Sequence, residues 1–233
     1  MALVGFAIGA VCAVFFYGIV ATDKFLAAQQ GRGWFSIAAL VAVLVLEPVA
    51  VFITVHFLLI RRRGLSWRDL GVRPTTLKWV TVAAAAAPVS LGLSAAINNA
   101  INPIIDPAAQ MNQYAALLAP HGTTLLGAAG FIVVIGLLVP VAEEVLFRGM
   151  IYGWLRQRLG IVISIVASAA IFSVAHMNVQ AALQVFMIGA VLAYLYERSG
   201  SIVPPMVTHA TINVSSLVVV FLYAGSATTA LAP

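Results

Sequence analysis

The chain has 233 residues, of which 63% are hydrophobic and only 8% charged, against about 25% charged residues in globular proteins, and this excludes an ordinary soluble domain. The net charge of +5 would suggest nucleic acid in a soluble protein, but the cations cluster in short loops beside apolar stretches, where they act as an orientation signal and imply no nucleic-acid partner. The single Cys12 can form no intrachain disulfide and has no second sulfur for a metal site.

A membrane helix needs roughly 20 mostly apolar residues, and about seven stretches qualify: 3–22, 37–60, 79–98, 123–147, 161–177, 181–197 and 204–224. The expected fold class is therefore an all-α polytopic membrane protein, about seven transmembrane helices bundled around an intramembrane polar cavity open to the cytoplasm. Membrane lipids are the first partner this implies. The stretch 3–22 is longer than a signal-peptide core and lacks a preceding charged segment, so it reads as a retained span. In the second stretch Pro48 frees a backbone carbonyl and kinks the helix. The adjacent Glu47 either lines the cavity or bonds a neighbouring helix. His56 reads as an interfacial side chain.

The loop from Arg61 to Lys78 holds Arg61, Arg62, Arg63, Arg68, Arg73 and Lys78, and the positive-inside rule places it in the cytoplasm. Alternation then puts Arg156, Arg158 and Arg198 on the inner side too, with only Lys24 and Arg32 outside. The N-terminus is inside and, with seven spans, the C-terminus outside. Leu65, Trp67, Leu70 and Val72 among these charges suit a short helix at the inner interface, serving as a topology anchor. Ala83–Ala87 reads as a close-packing helix surface. The outer loop 99–122 carries Asn99, Asn102, Pro103, Asp106 and Pro107 and divides the chain. The division is an N-terminal helical part over 1–119, a motif-bearing part over 120–224, and a short tail over 225–233.

Ionisable side chains inside spans cost several kcal/mol unless paired or facing a polar cavity, so each is a functional candidate. In the fourth stretch Glu144 and Arg148 are four apart on one helical face, with the glutamate N-terminal, the better order for an ion pair. Glu143, rotated by about 100°, lacks that partner. Phe172 and His176 end the fifth stretch at a spacing of four, and His209 and Asn213 share a face of the seventh. With a turn at Leu159–Gly160, Glu143 and His176 are equidistant from the hairpin tip and face each other at one height. His209 reaches the same depth if that tip protrudes into the cytoplasm. Asn178 and Gln180 read as turn chemistry, Gln184 as a cavity-lining residue, and Glu197 with Arg198 as a boundary signal.

Glu-Glu-x-x-x-Arg at 143–148, Phe-x-x-x-His at 172–176 and His-x-x-x-Asn at 209–213, in that order, resemble the CAAX protease and bacteriocin-processing (Abi) family of intramembrane endopeptidases, which includes the type II CAAX prenyl proteases. The similarity covers about residues 120–222. It implies peptide-bond hydrolysis in a membrane-associated, lipid-embedded or prenylated substrate, within a multi-pass protein of the bacterial plasma membrane. Hydrolysis needs an activated water, and a carboxylate held away from solvent is a stronger base, which suits Glu143. His176 would polarise the same water or protonate the leaving amine. His209 and Asn213 would stabilise the oxyanion, while Glu144, Arg148 and Phe172 support the site. The same atoms admit a second account, in which Glu143, His176 and His209 bind zinc as a His₂Glu set and Glu144 acts as base. From other classes come a non-catalytic partner-binding or bacteriocin-immunity protein and a small proton relay. The relay would need broken helices or a repeat, and neither is visible.

Overall fold

The computed structural model describes residues 35–101, 125–176 and 181–230. The stretch 3–22 with Cys12, Lys24, Arg32, the loop 102–122, Asn178, Gln180 and the side chain of Glu47 lie outside the described residues. Among the described residues every regular element is helical. Helix α1 spans Phe35–Val55 and continues as a π-helical turn over His56–Arg61, and α2 spans Leu77–Ile101. Helix α3 is composite: Leu125–Phe131, a π-helical Ile132–Leu138, Val139–Glu144, a second π-helical Val145–Tyr152, and Gly153–Arg156. Then come α4 (Ile161–Ala175), α5 (Ala182–Ser199) and α6 (Val203–Ala230).

Helix α3 continues past the expected 147 to Arg156, and α6 past 224 to Ala230. Four helical segments are long and apolar enough to cross a membrane: Leu44–Arg61, Leu77–Ile97, Leu126–Arg156 and Val203–Leu222. Of the other expected spans, α4 is only 15 residues long, and α5 carries Glu197 and Arg198 in its last turn.

Helix α3 lies at the centre, with α1 and α6 against it, α4 paired with α5, and α2 against α5 and α6. The sequence explains the faces. Val51, Val55 and Leu59, spaced by four, are buried on α1, whereas Leu46, Val49, Ile53 and Phe57 form the opposite, exposed face. That division is the ordinary helical stripe, with an apolar outer face as expected against lipid. On α2 the small Ala83 and Ala87 are fully buried, and the Thr208 hydroxyl of α6 donates to the Ala83 carbonyl at 3.0 Å. One face of the alanine run is thus a close-packing surface, while Ala84 and Ala85 are exposed.

The basic segment after α1 is a docked strap, not the short interfacial helix its pattern suggests. Beyond Arg63 it holds turns over 67–71 and no helix before Leu77. Local hydrogen bonding outcompetes helix here: the Asp69 carboxylate accepts from the Ser66 backbone N–H and hydroxyl, both at 2.7 Å. Gly64 and Gly71, at φ +66° and +82°, turn the chain where other residues would be strained. Leu70 is buried against Gly149 of α3, Gly71 lies under the Tyr196 ring, and the Gly71 carbonyl accepts from Ile202 N–H at 2.9 Å. The Ser201 hydroxyl donates to the Arg73 carbonyl at 2.7 Å. Across the α3–α5 gap, Arg156 meets Glu197 at 3.1 Å, and Glu197 also accepts from the Tyr152 hydroxyl at 2.7 Å. The strap, the α3–α4 turn and the α5–α6 turn therefore share one end of the bundle, the grouping that the charge pattern implied.

Gly64 and Gly71 separate backbone strain from packing. A Cβ at Gly64 meets nothing within 4 Å, whereas one at Gly71 falls 2.5 Å from the Tyr196 ring. Gly64→Ala should lose about 1 kcal/mol through its left-handed backbone, and Gly71→Ala about 2–3 kcal/mol because the ring must also move. Thermal unfolding of the two variants in detergent checks the order, and equal losses would contradict the docked strap.

Candidate active site

Two π-helical turns bracket the short α-helical piece Val139–Glu144, and Pro140 explains the first. Val139 N–H donates to the Val134 carbonyl, five residues back. The Ile135 carbonyl would need the N–H of residue 140, but proline has none. Asn213 of α6 supplies the missing donor, its side-chain N–H reaching the Ile135 carbonyl at 3.1 Å. A π-bulge at a functional position is a recurring arrangement. Here it joins α3 to α6 one helical turn from His209.

Glu144 is the node of the site. It has no solvent exposure, and neither has Arg148, whose Nη1 donates to Glu144 Oε1 at 2.9 Å. The same oxygen lies 2.8 Å from His209 Nδ1. A carboxylate only accepts, so the network assigns a proton to Nδ1. Nε2 of that ring then points at Glu143, 3.5 Å from Oε2. Both Glu143 and His209 side chains are at least nine-tenths buried. Arg148 is held from a third direction, with Nη2 donating to the Gly189 carbonyl of α5 at 3.1 Å.

Phe172 closes the other side. The Arg148 guanidinium lies 4.6 Å from its ring centroid, a cation–π distance. Phe147, His176 and His209 meet the same ring edge-on, with centroids at 4.9, 4.6 and 5.7 Å. His176 Nδ1 is bonded to the Phe172 carbonyl at 2.9 Å.

The seven residues named from sequence thus fall into three groups. Glu143, Glu144, Arg148 and His209 form one polar cluster. Phe172 and His176 sit beside it, His176 across the Phe172 ring and without a hydrogen bond to Glu143 among the described contacts. Phe172 touches both His176 and His209, so the ring joins the two histidines. Asn213 shares its helix face with His209 but spends an amide N–H on α3. Sequence reasoning did not single out Gly189, whose carbonyl and missing side chain serve Arg148 and Phe172 together: a Cβ there would lie 3.0 Å from the Phe172 ring. A lone glycine in an apolar helix gave no signal. Nor did the pattern show that Glu144 serves His209 as well as Arg148, because that contact spans 65 residues.

Glu143, His176 and His209, as placed, do not make a ligand group, and no set of three or more His, Cys, Asp or Glu suited to a metal occurs among the described residues.

The fold and this cluster together make a helical bundle that carries paired glutamates, a buried arginine and histidines inside apolar helices. Residues 125–215 match the family model described as Rce1-like, "Type II CAAX prenyl endopeptidase Rce1-like", so the resemblance carried by the three motifs is borne out over that segment. A curated relative, "Putative membrane peptidase YdiL" of Bacillus subtilis (strain 168), is 29% identical over 82 residues, which is 35% of this chain and 34% of the relative. The chain thus spans about a third of the length of the relative it matches. No solved structure matches.

Removing one partner of a buried pair leaves an uncompensated charge. Arg148→Met should destabilise the protein by about 3–5 kcal/mol, and the double change Arg148→Met with Glu144→Gln should cost less than Arg148→Met alone. Thermal unfolding of the single and double variants measures this, and additive losses would show that the pair is not coupled.

Proposed function

We propose that the protein is an intramembrane endopeptidase that hydrolyses a peptide bond in a membrane-associated substrate, lipid-embedded or prenylated. The observation that carries this is Glu143 Oε2 facing His209 Nε2 at 3.5 Å, nearly dry, inside the segment that matches the peptidase family. That separation is long for a direct hydrogen bond. It leaves room for a water to bond both groups from the apex of a triangle on this base, at roughly 2.8 Å to each.

In this reading Glu143 takes a proton from that water as its oxygen attacks the substrate carbonyl. His209, oriented by the Nδ1 bond to Glu144, accepts from the water through Nε2 and keeps it in line, and it donates from Nε2 to the oxyanion once that nitrogen also carries a proton. As the C–N bond breaks, the proton held by Glu143 passes to the leaving amine, through His176 beside the Phe172 ring once substrate brings that nitrogen near, and Asn213 has a second amide N–H for the oxyanion. Glu144, Arg148 and Phe172 hold the geometry and touch no reacting atom. The bundle is read as about seven spans, with the basic end and the N-terminus on the cytoplasmic side of a bacterial plasma membrane, and the polar site opening to that side. The cation-rich end supports this orientation.

The test is cleavage of a prenylated peptide and of a lipid-embedded peptide by the full chain in proteoliposomes, with and without chelator. Glu143→Ala and His209→Ala should lower cleavage at least about 100-fold, the usual worth of a positioned acid or base; Glu143→Ala should leave the melting temperature within a few degrees, whereas His209→Ala, which removes a bond to buried Glu144, should also lower it. Full cleavage by Glu143→Ala would sink the proposal. Cleavage lost to chelator and restored by zinc would replace the protein-only water activation with a metal-bound one.

A further inference from the structure

The basic strap has a feature that topology alone does not require: it is pre-organised. Backbone bonds from Gly64 N–H to Ile60, Leu65 to Leu59, Gly71 to Arg68 and Val72 to Trp67, all between 3.0 and 3.3 Å, fix its course. The Arg73 side chain is tied back by Nε donating to the Arg68 carbonyl at 2.7 Å. A flexible loop would satisfy the positive-inside rule equally well.

The strap also keeps its charge. Its one carboxylate, Asp69, is engaged by Ser66 and lies beside Arg73. The Ser66 backbone N–H foremost, then its hydroxyl, holds the Asp69 carboxyl below its usual value, so it stays ionised and offsets only one of the strap's several positive charges. Arg61, Arg62, Arg63 and Arg68 are all exposed, and none is in an ion pair among the described residues. Arg198 is exposed at the same end. Beside these charges, exposed Leu65, Val72 and Leu77 and half-buried Trp67, which packs on Phe52, present apolar and aromatic surface. Exposed guanidiniums on a fixed backbone, with exposed apolar residues in the same segment, match one kind of surface, an anionic headgroup layer above hydrocarbon.

We propose that this strap is a binding site for anionic phospholipid headgroups, in which Arg62, Arg63 and Arg68 clasp lipid phosphate. Guanidinium suits it because its planar fork bonds phosphate through two N–H groups at once. The site is separate from the Glu143–His209 cluster and stands whether or not the chain cleaves peptides.

The test uses the purified full chain in nanodiscs of phosphatidylcholine mixed with phosphatidylglycerol, counting retained lipid by native mass spectrometry. Wild type should retain phosphatidylglycerol preferentially, and Arg62→Gln, Arg63→Gln and Arg68→Gln should each weaken the preference, by up to about fivefold per arginine. The corresponding lysine changes keep the charge and should retain most of the preference, so a folding defect is distinguished from loss of the site. No preference in wild type, or one unchanged in the triple glutamine variant, overturns the proposal. Displacement of the lipid by inorganic phosphate at equal concentration would assign the site to a free anion, and displacement by an acidic peptide to a protein partner; either overturns the lipid assignment.

Discussion

Glu144 has no contact with solvent, and a carboxylate in that position costs several kcal/mol unless charge and hydrogen bonds answer it. Arg148 answers the charge at 2.9 Å, and His209 adds a second bond at 2.8 Å to the same oxygen. Arg148 is itself fully buried, so it needs more than one partner, and the Gly189 carbonyl and the Phe172 ring face provide them. In this way one buried charge on α3 recruits α4, α5 and α6. His209 has one nitrogen committed to Glu144, which leaves the other no direction except towards Glu143.

The backbone of α3 makes the same link by a different route. Pro140 leaves the Ile135 carbonyl without a donor, and Asn213 repairs the loss from α6. Asn213 and His209 are a helical turn apart, so two independent requirements, an orphan carbonyl and a buried carboxylate, fix the position of α6 against α3. Gly136 permits the approach, its missing Cβ standing 2.7 Å from a Val214 methyl. Substitutions that keep the polar residues but alter this contact should therefore disturb the site through its frame.

Much of this was legible in the sequence because membrane helices are long and their polar residues rare. The helix starts at Leu77, Ile161 and Val203 fall within two residues of their expected places, and Glu144–Arg148 follows from spacing alone. The hairpin turn near Leu159–Gly160 is also where expected. Tertiary contacts were less visible. His209 bonding Glu144 rather than serving only as an oxyanion donor, and the Phe172 ring joining His176 to His209, depend on how α4 and α6 rotate about their axes. Composition does not encode that rotation. The strap was misread as a helix because its apolar residues have helical spacing, whereas Ser66, Asp69 and two left-handed glycines decide its course locally.

The central claim is that Glu144 orients His209 by accepting from Nδ1, and nitrogen-15 NMR of the full chain in bilayers, with His209 assigned by its absence in His209→Gln, reads this directly. The account predicts a protonated Nδ1 in wild type and a changed Nδ1 signal in Glu144→Gln, in which the acceptor is weakened. An unprotonated Nδ1 in wild type, with the proton on Nε2, would contradict it.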